Sequence, residues 1–203
     1  MKCNAYAALL GLSILASPTV NAEGLRYTYA ELRGVYTQAD LLGPSDLTLN
    51  ANGFGAAGSI AFGQTGLFAT ASYDSVDNDI IDGAQIDLDR ATLGLGYAVA
   101  IDETLHALIE AKGLRIKAGA LGESESENGY QATLGLRSLL SDTFEASIKA
   151  GVVKVDNADL EVYDGAIVEI GARYLIDGAW SVGLDTAFTK DERNAMLGLR
   201  LQW

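Results

Sequence analysis

His106 and Cys3 are the only residues of their types in this chain of 203. Hydrolysis through a side-chain nucleophile needs a base beside that nucleophile and a third group to orient the base. No such set surrounds His106 in "IDETLHALIEAKG", so we expect a polar filler there and no enzyme. A second stretch that could do chemistry is "DSVDNDIIDGAQIDLD", residues 74–89, which holds six aspartates. A calcium loop places oxygen ligands at fixed spacing around a turning glycine. Asp77, Asp79 and Asp82 before Gly83 do not keep that spacing. A solvated acidic loop is expected, with no metal and no cofactor.

A third set of charges is spread along the chain on alternate residues. It comprises Glu31, Arg33, Arg90, Glu110, Lys112, Arg137, Glu145, Lys149, Glu169, Arg173, Asp185 and Arg200. Seven are basic and five acidic, a near-balanced mixture that suits a closed interior where opposite charges pair. Glycines and hydroxyls such as Gly94, Ser147 and Gly198 separate them and leave room for long side chains. Arg137, Arg173 and Arg200 recur at equivalent places in a short template: "ATLGLG" (91–96), "ATLGLR" (132–137), "AMLGLR" (195–200) and the looser "VEIGAR" (168–173). They should lie at one depth, either as a cationic constriction or neutralised by Glu31, Glu145 and Glu169.

The elements that carry these charges alternate with period two, the strand period. Ten such segments are expected: 25–37, 53–62, 67–75, 90–99, 105–116, 130–139, 144–155, 166–175, 180–189 and 194–203. Short turns (63–66, 100–104, 140–143, 176–179) alternate with longer loops (38–52, 76–89, 118–129, 156–165), although 190–193 is short. That layout predicts an all-β fold, a single antiparallel up-and-down transmembrane β-barrel of about ten strands, with eight as the fallback. An even strand count puts both termini on the short-turn side, the periplasm. Residues 1–22 read as a secretory signal peptide: Lys2, an apolar run from Ala5 to Ala16, then Val20-Asn21-Ala22 as a cleavage site. Residues 23–203 would then be the barrel. Cys3 precedes the apolar run and leaves with the leader, so packing or the membrane must supply stability in place of disulfides. The processed chain is one unit more negative than the −13 of the full chain, which argues against nucleic acid as a partner.

Alternation alone does not say which face meets water. A lipocalin-like soluble barrel turns its apolar face inward and a membrane barrel turns it outward. On the apolar face, one set of aromatics falls beside the short turns: Phe62, Tyr97, Phe144, Tyr174, Trp180 and Trp203. A second falls beside the long loops: Tyr36, Phe54, Tyr73, Tyr130 and Phe188. Aliphatic residues lie between. Amphipathic rings sort to the headgroup levels of a bilayer, so two girdles around an aliphatic band favour the outer membrane. Arg115, Lys117 and Lys154 take outward parity near the long-loop end and are candidate contacts for lipopolysaccharide phosphates, or simply snorkelling rim residues.

The chain also resembles small bacterial outer-membrane barrels of the OmpA and OmpX style. It is most similar to the ten-stranded family called sulfation-dependent quorum factor, through "AEGLRYTYAELRGVY", "GFGAAGSIAFG", "YDSVDNDI" and the terminal tryptophan. The resemblance implies fold and location only. Ten-stranded omptin proteases are similar in outline, but they need a histidine with acids at the extracellular rim, and His106 falls at the other end. The terminal strand "NAMLGLRLQW" resembles the signal read by the barrel assembly machinery, which is an expected partner beside outer-membrane lipid. The expected function is a structural or surface-interaction role with acidic extracellular loops and a largely plugged charged lumen. The alternatives are a narrow, low-conductance porin-like channel and a soluble exported binding barrel. The oligomeric state is left open.

Overall fold

The computed structural model describes residues 24–41, 47–81, 84–120, 123–156 and 165–203. The signal-peptide stretch lies outside the described residues. Ten antiparallel strands close into one barrel in chain order: β1 (Tyr29–Leu41), β2 (Leu47–Ala61), β3 (Leu67–Ile81), β4 (Ala84–Ala100), β5 (Leu105–Ala120), β6 (Glu123–Ser141), β7 (Phe144–Val155), β8 (Gly165–Leu175), β9 (Trp180–Phe188) and β10 (Glu192–Gln202). Closure is made by β1 against β10, with Glu31 opposite Arg200 and Tyr36 opposite Ala195. A closed ladder leaves no edge strand, so the backbone groups are satisfied within the sheet. No described helix is long and apolar enough to cross a membrane; a barrel crosses with strands.

The short turns are closed by local chemistry. In the β4–β5 turn, Asp102 Oδ1 accepts the backbone N–H groups of Thr104 and Leu105 at 2.7 and 2.8 Å. In the β8–β9 turn, Asp177 Oδ1 accepts those of Ala179 and Trp180 at 2.7 and 2.6 Å. These N–H groups hold both carboxyls below the usual aspartate range. The β2–β3 turn uses Gly63 and Gly66 at φ of 62° and 79°, a region that an L side chain rarely adopts.

The longer connections differ from their expected form. Ladder pairing continues far beyond the last alternating residue, so 76–81 and 84–89 are arms of the β3–β4 hairpin, and 118–120 and 123–129 are arms of β5–β6. The same holds for 38–41 and 47–52 between β1 and β2. Alternation is lost there because the polarity of the two faces inverts. On β5 the outward residues run Ile109, Ala111, Gly113 and then Arg115, Lys117. The inward residues run Glu110, Lys112 and then Leu114, Ile116. On β3, outward Ala69, Ala71 and Tyr73 give way to Ser75 and Asp77, while inward Ser72 and Asp74 give way to Val76. Below this level the barrel is apolar outside and polar inside. Above it β3 and β5 turn apolar residues such as Val76, Leu114 and Ile116 inward, while β1 and β10 keep Thr37 and Asn194 inside, hydrogen-bonded to each other at 2.7 Å. The expected first strand also starts too early: residues 25–28 leave the ladder and turn across the short-turn mouth, because Tyr27 finds an aromatic seat there.

A charged lumen as the candidate functional site

All twelve charges expected in the interior point inward, each on the parity opposite the exposed apolar residues of its strand. Two more join them. Asp74 and Glu192, assigned from sequence to a loop and a turn, are buried inside the barrel. This corrects the expected charge balance: among the described residues seven cations pair with seven anions in the lumen. Asp74 was hidden among the aspartates of its hairpin. Its signal was inward parity directly opposite Arg90.

The pairs join adjacent strands in some cases and reach over one or more strands in others. Arg33 donates from Nε and Nη2 to both oxygens of Asp74, at 2.7 and 2.6 Å. Arg137 holds Glu145 through two parallel bonds of 2.8 Å. Such forks fix both partners and are the stronger kind of ion pair. Glu31 is only 4% exposed and is shared between Arg200 Nε at 2.8 Å and Arg173 Nη2 at 2.9 Å. Arg173 also reaches Asp185 at 2.9 Å. Lys149 bridges Glu110 and Glu169, Lys112 pairs with Glu110 at 2.8 Å, and Gln131 donates to Glu169 at 2.6 Å. Arg90 on β4 pairs with Glu192 on β10, a brace across the lumen. The three template arginines are therefore neutralised, Arg137 by the expected Glu145 and Arg173 and Arg200 by the expected Glu31. Glu169 is engaged by Lys149 instead, because it stands directly opposite that residue on β7.

The template now has a steric reason. A Cβ added at Gly94 would meet Lys112 Cγ at 2.6 Å, and one at Gly198 would meet Glu31 Cδ at 2.8 Å. Gly135 sits in the same way beside Lys149, and Gly171 beside Asp185. Each template glycine is thus the floor on which a neighbouring strand lays its charge. Where the template ends in Gly96 instead of arginine, the Phe68 ring takes the space.

The charges occupy a middle layer. Toward the long-loop end, Val35, Val76, Leu88, Leu114, Ile116, Val153, Val155 and Ile167 pack together inside the barrel, with Met196 against them. Alternation analysis misses this cluster because these residues face inward, where polar groups were expected. Toward the short-turn end lies a second apolar group, Phe68, Ala98 and Leu108, with Tyr27 against it. The Tyr27 ring stacks on Phe68 at 5.0 Å and on His106 at 5.7 Å, and its hydroxyl shares a 2.9 Å hydrogen bond with His106 Nδ1. Arg137 lies over the same ring at 4.7 Å and donates to the Arg26 carbonyl at 2.8 Å. Between the two apolar groups is a cavity of about 240 Å³, lined by Glu31, Arg33, Glu110, Lys149 and Arg173 among others. His106 thus holds a tyrosine. No group of described residues has the make-up of a metal site.

On the outer face, all eleven aromatics expected there are exposed, Phe54 most of all at 81%. Phe144 stands directly opposite Tyr174, and Tyr130 opposite Lys154. Leu32, at 72% exposed, and Leu93, Leu134, Ile148, Leu184 and Leu197 fill the band between the two aromatic rows. Arg115, Lys117 and Lys154 are exposed on the outer face of β5 and β7. Acidic hairpin residues flank the long-loop end: Asp77 lies opposite Asp87, and Asp89 accepts from Tyr73 Oη at 2.9 Å and Ser75 Oγ at 2.6 Å. Asp79 and Asp82 fall where side chains or residues are outside the description.

No protein-family model matches the chain, and no curated protein does. Solved structures do. The NanC porin is similar over 86% of this chain and 100% of its own, with 10% identity and a TM-score of 0.52. Neisserial surface protein A is similar over 86% of this chain and 96% of its own, with 11% identity and a TM-score of 0.45. Ail, the attachment invasion locus protein of Yersinia pestis, shares 13% identity over 87% of this chain and 97% of its own, with a TM-score of 0.36. The narrower quorum-factor resemblance remains an expectation from sequence. The closed ten-strand antiparallel up-and-down barrel of this chain is the fold of a bacterial outer-membrane β-barrel.

Proposed function

We propose that this chain is an outer-membrane barrel with a structural or surface-interaction role and a largely plugged lumen. In this reading both termini are periplasmic and the acidic hairpins are extracellular. The exposed apolar band between two rows of aromatics supports the location, since only lipid stabilises so much outward apolar surface. A soluble exported binding barrel would turn that band inward, so recovery of folded protein in the periplasmic fraction without detergent would defeat the membrane reading.

The observation that carries the plug is the layering of the interior. Paired charges fill the middle, and an apolar cluster built from strand side chains lies above them. Ten strands stand close to the size at which side chains fill a barrel. Catalysis has no part in this reading. Bilayer lipid, lipopolysaccharide near Arg115, Lys117 and Lys154, and the assembly machinery acting on β10 are the proposed partners.

One observation favours a second reading, a narrow low-conductance pore: the cavity of about 240 Å³ lies inside the barrel and has charged residues such as Glu31, Arg33, Glu110 and Lys149 in its lining. Planar-bilayer recording separates the two. The plugged barrel gives no stable unitary steps. Steps whose size changes with Arg137→Ala or Arg200→Ala would overturn it in favour of the pore.

A further inference from the structure

We propose that residues 25–27 are a retractable stopper hinged at Thr28, and that the lumen cavity is a one-sided chamber that exchanges small polar solutes only through the short-turn mouth. The two ends of the cavity are bordered by different kinds of structure. At the long-loop end the closing residues, Leu114, Ile116, Val153 and Ile167 among them, belong to strands whose ladders run unbroken around the barrel. They cannot withdraw unless the sheet opens. At the short-turn end the strand residues Phe68, Ala98 and Leu108 are joined by Tyr27, which lies outside every strand and is the one member of the group that can leave without opening the sheet.

The contacts that seat the stopper are non-covalent, and they include the burial of Leu25. Tyr27 has its two ring stacks, its bond to His106 and the Arg137 guanidinium over its face. Arg26 is tied by its side chain to the Gly178 carbonyl and by its own carbonyl to Arg137. Thr28 marks the hinge. Its Oγ1 accepts the Ala61 N–H at 3.0 Å, and its carbonyl accepts the Trp203 N–H at 3.1 Å. Residues before Thr28 can therefore swing while Thr28 stays fixed to β2 and the end of β10. Loss of the ring would open the mouth and leave the ladder whole. Arg137 keeps its fork to Glu145 in either position, so opening does not strand a buried charge.

The chamber has chemistry suited to small polar solutes and water. Tyr27 and Phe68 line the short-turn end, and charged pairs and the small residues Ala57, Ser59, Thr70 and Ser72 line the walls. The hydroxyls of Ser59 and Thr70 are buried without a protein partner, as are Thr133 Oγ1 and Arg173 Nη1. Polar atoms of this kind beside a polar cavity take ordered water as partners.

The chain's sole cysteine is Cys3, so a single reporter thiol can be placed cleanly in a Cys3→Ser background. Ala57 faces the chamber on β2 and makes no side-chain hydrogen bond, which suits Ala57→Cys. Full-length A57C in vesicles of known orientation would be treated with a membrane-impermeant cationic methanethiosulfonate from each side in turn. Labelling is expected from the short-turn side only. Adding Tyr27→Ala should speed it roughly tenfold or more, from the lost stacking and hydrogen bond. Tyr27→Phe, which keeps the ring, should give a smaller gain. This inference rests on the plugged lumen proposed above, and the arms distinguish the two. Labelling from the long-loop side would defeat the plug. Short-turn labelling at one rate in A57C alone, with Tyr27→Ala and with Tyr27→Phe would defeat only the stopper. If Tyr27→Ala does not fold, the sidedness in A57C alone and the Tyr27→Phe rate still decide.

Discussion

Removing the Glu31 carboxylate should be among the most costly single changes in this barrel. That group is 4% exposed and is the carboxylate that Arg200 contacts, through Nε at 2.8 Å. Arg173 contacts it at 2.9 Å but keeps Asp185 at the same distance. Glu31→Leu therefore strands one buried guanidinium and weakens a second. Breaking a buried pair by losing one partner costs about 3–5 kcal/mol. The polar cavity alongside lets water reach the freed cation, so the lower end, about 3 kcal/mol, is expected. Glu31→Gln keeps the shape and one acceptor oxygen and should cost about 1–3 kcal/mol. The double variant Glu31→Leu with Arg200→Leu removes both charges of the β1–β10 pair and should recover much of the loss, since contacting residues couple by about 0.5–3 kcal/mol. Urea unfolding of the barrel in lipid vesicles, followed by its heat-modifiable gel shift, measures each term. Single variants within about 0.5 kcal/mol of wild type, the usual range for neutral surface changes, would refute the claim that these charges are buried and paired.

Three further outcomes are expected. Gly183→Ala places a methyl 2.7 Å from the Arg173 Cζ and should destabilise the barrel by about 1–3 kcal/mol through overpacking, measured by the same unfolding assay. Deleting Trp203 should lower the yield of assembled barrel, read as the heat-modifiable fraction in isolated outer membranes; normal yield would remove the role given to the terminal aromatic. Asp102 and Asp177 have pKa values depressed by the backbone N–H groups they accept, so their contribution to the turns is fully present above the free aspartate value and lost as pH falls through the lower folded value. The amide resonances of Leu105 and Trp180 should therefore titrate below the pH of a free aspartate. A midpoint at the ordinary value would show that these carboxylates do not close the turns.

Much of the barrel is legible in the sequence because period-two alternation is a local property. Ile148, Lys149 and Ala150 declare their faces without knowing their neighbours, and each of the twelve expected charges lies inside. Strand ends are less legible. Beyond Tyr73 and Gly113 the polarity inverts, and a reader following one apolar face sees the pattern stop where the ladder does not. Residues 25–28 mislead in the opposite sense. They continue the alternation of β1, yet the aromatic seat beside Phe68 and His106 draws Tyr27 out of register.

The sequence by itself determined the two faces of the strands between the aromatic rows, the order of the strands along the chain, and the aromatics that stand at each end of the apolar band. Only the tertiary structure decided which charge meets which. Glu31 joins β8 to β10, Glu192 reaches β4 across the lumen, and Glu169 turns to Lys149 and leaves the arginines to others. Those choices depend on the closure of β1 on β10 and on the stagger of ten strands around one axis. No local window contains that information, because residues 31 and 200 become neighbours only when the sheet joins itself.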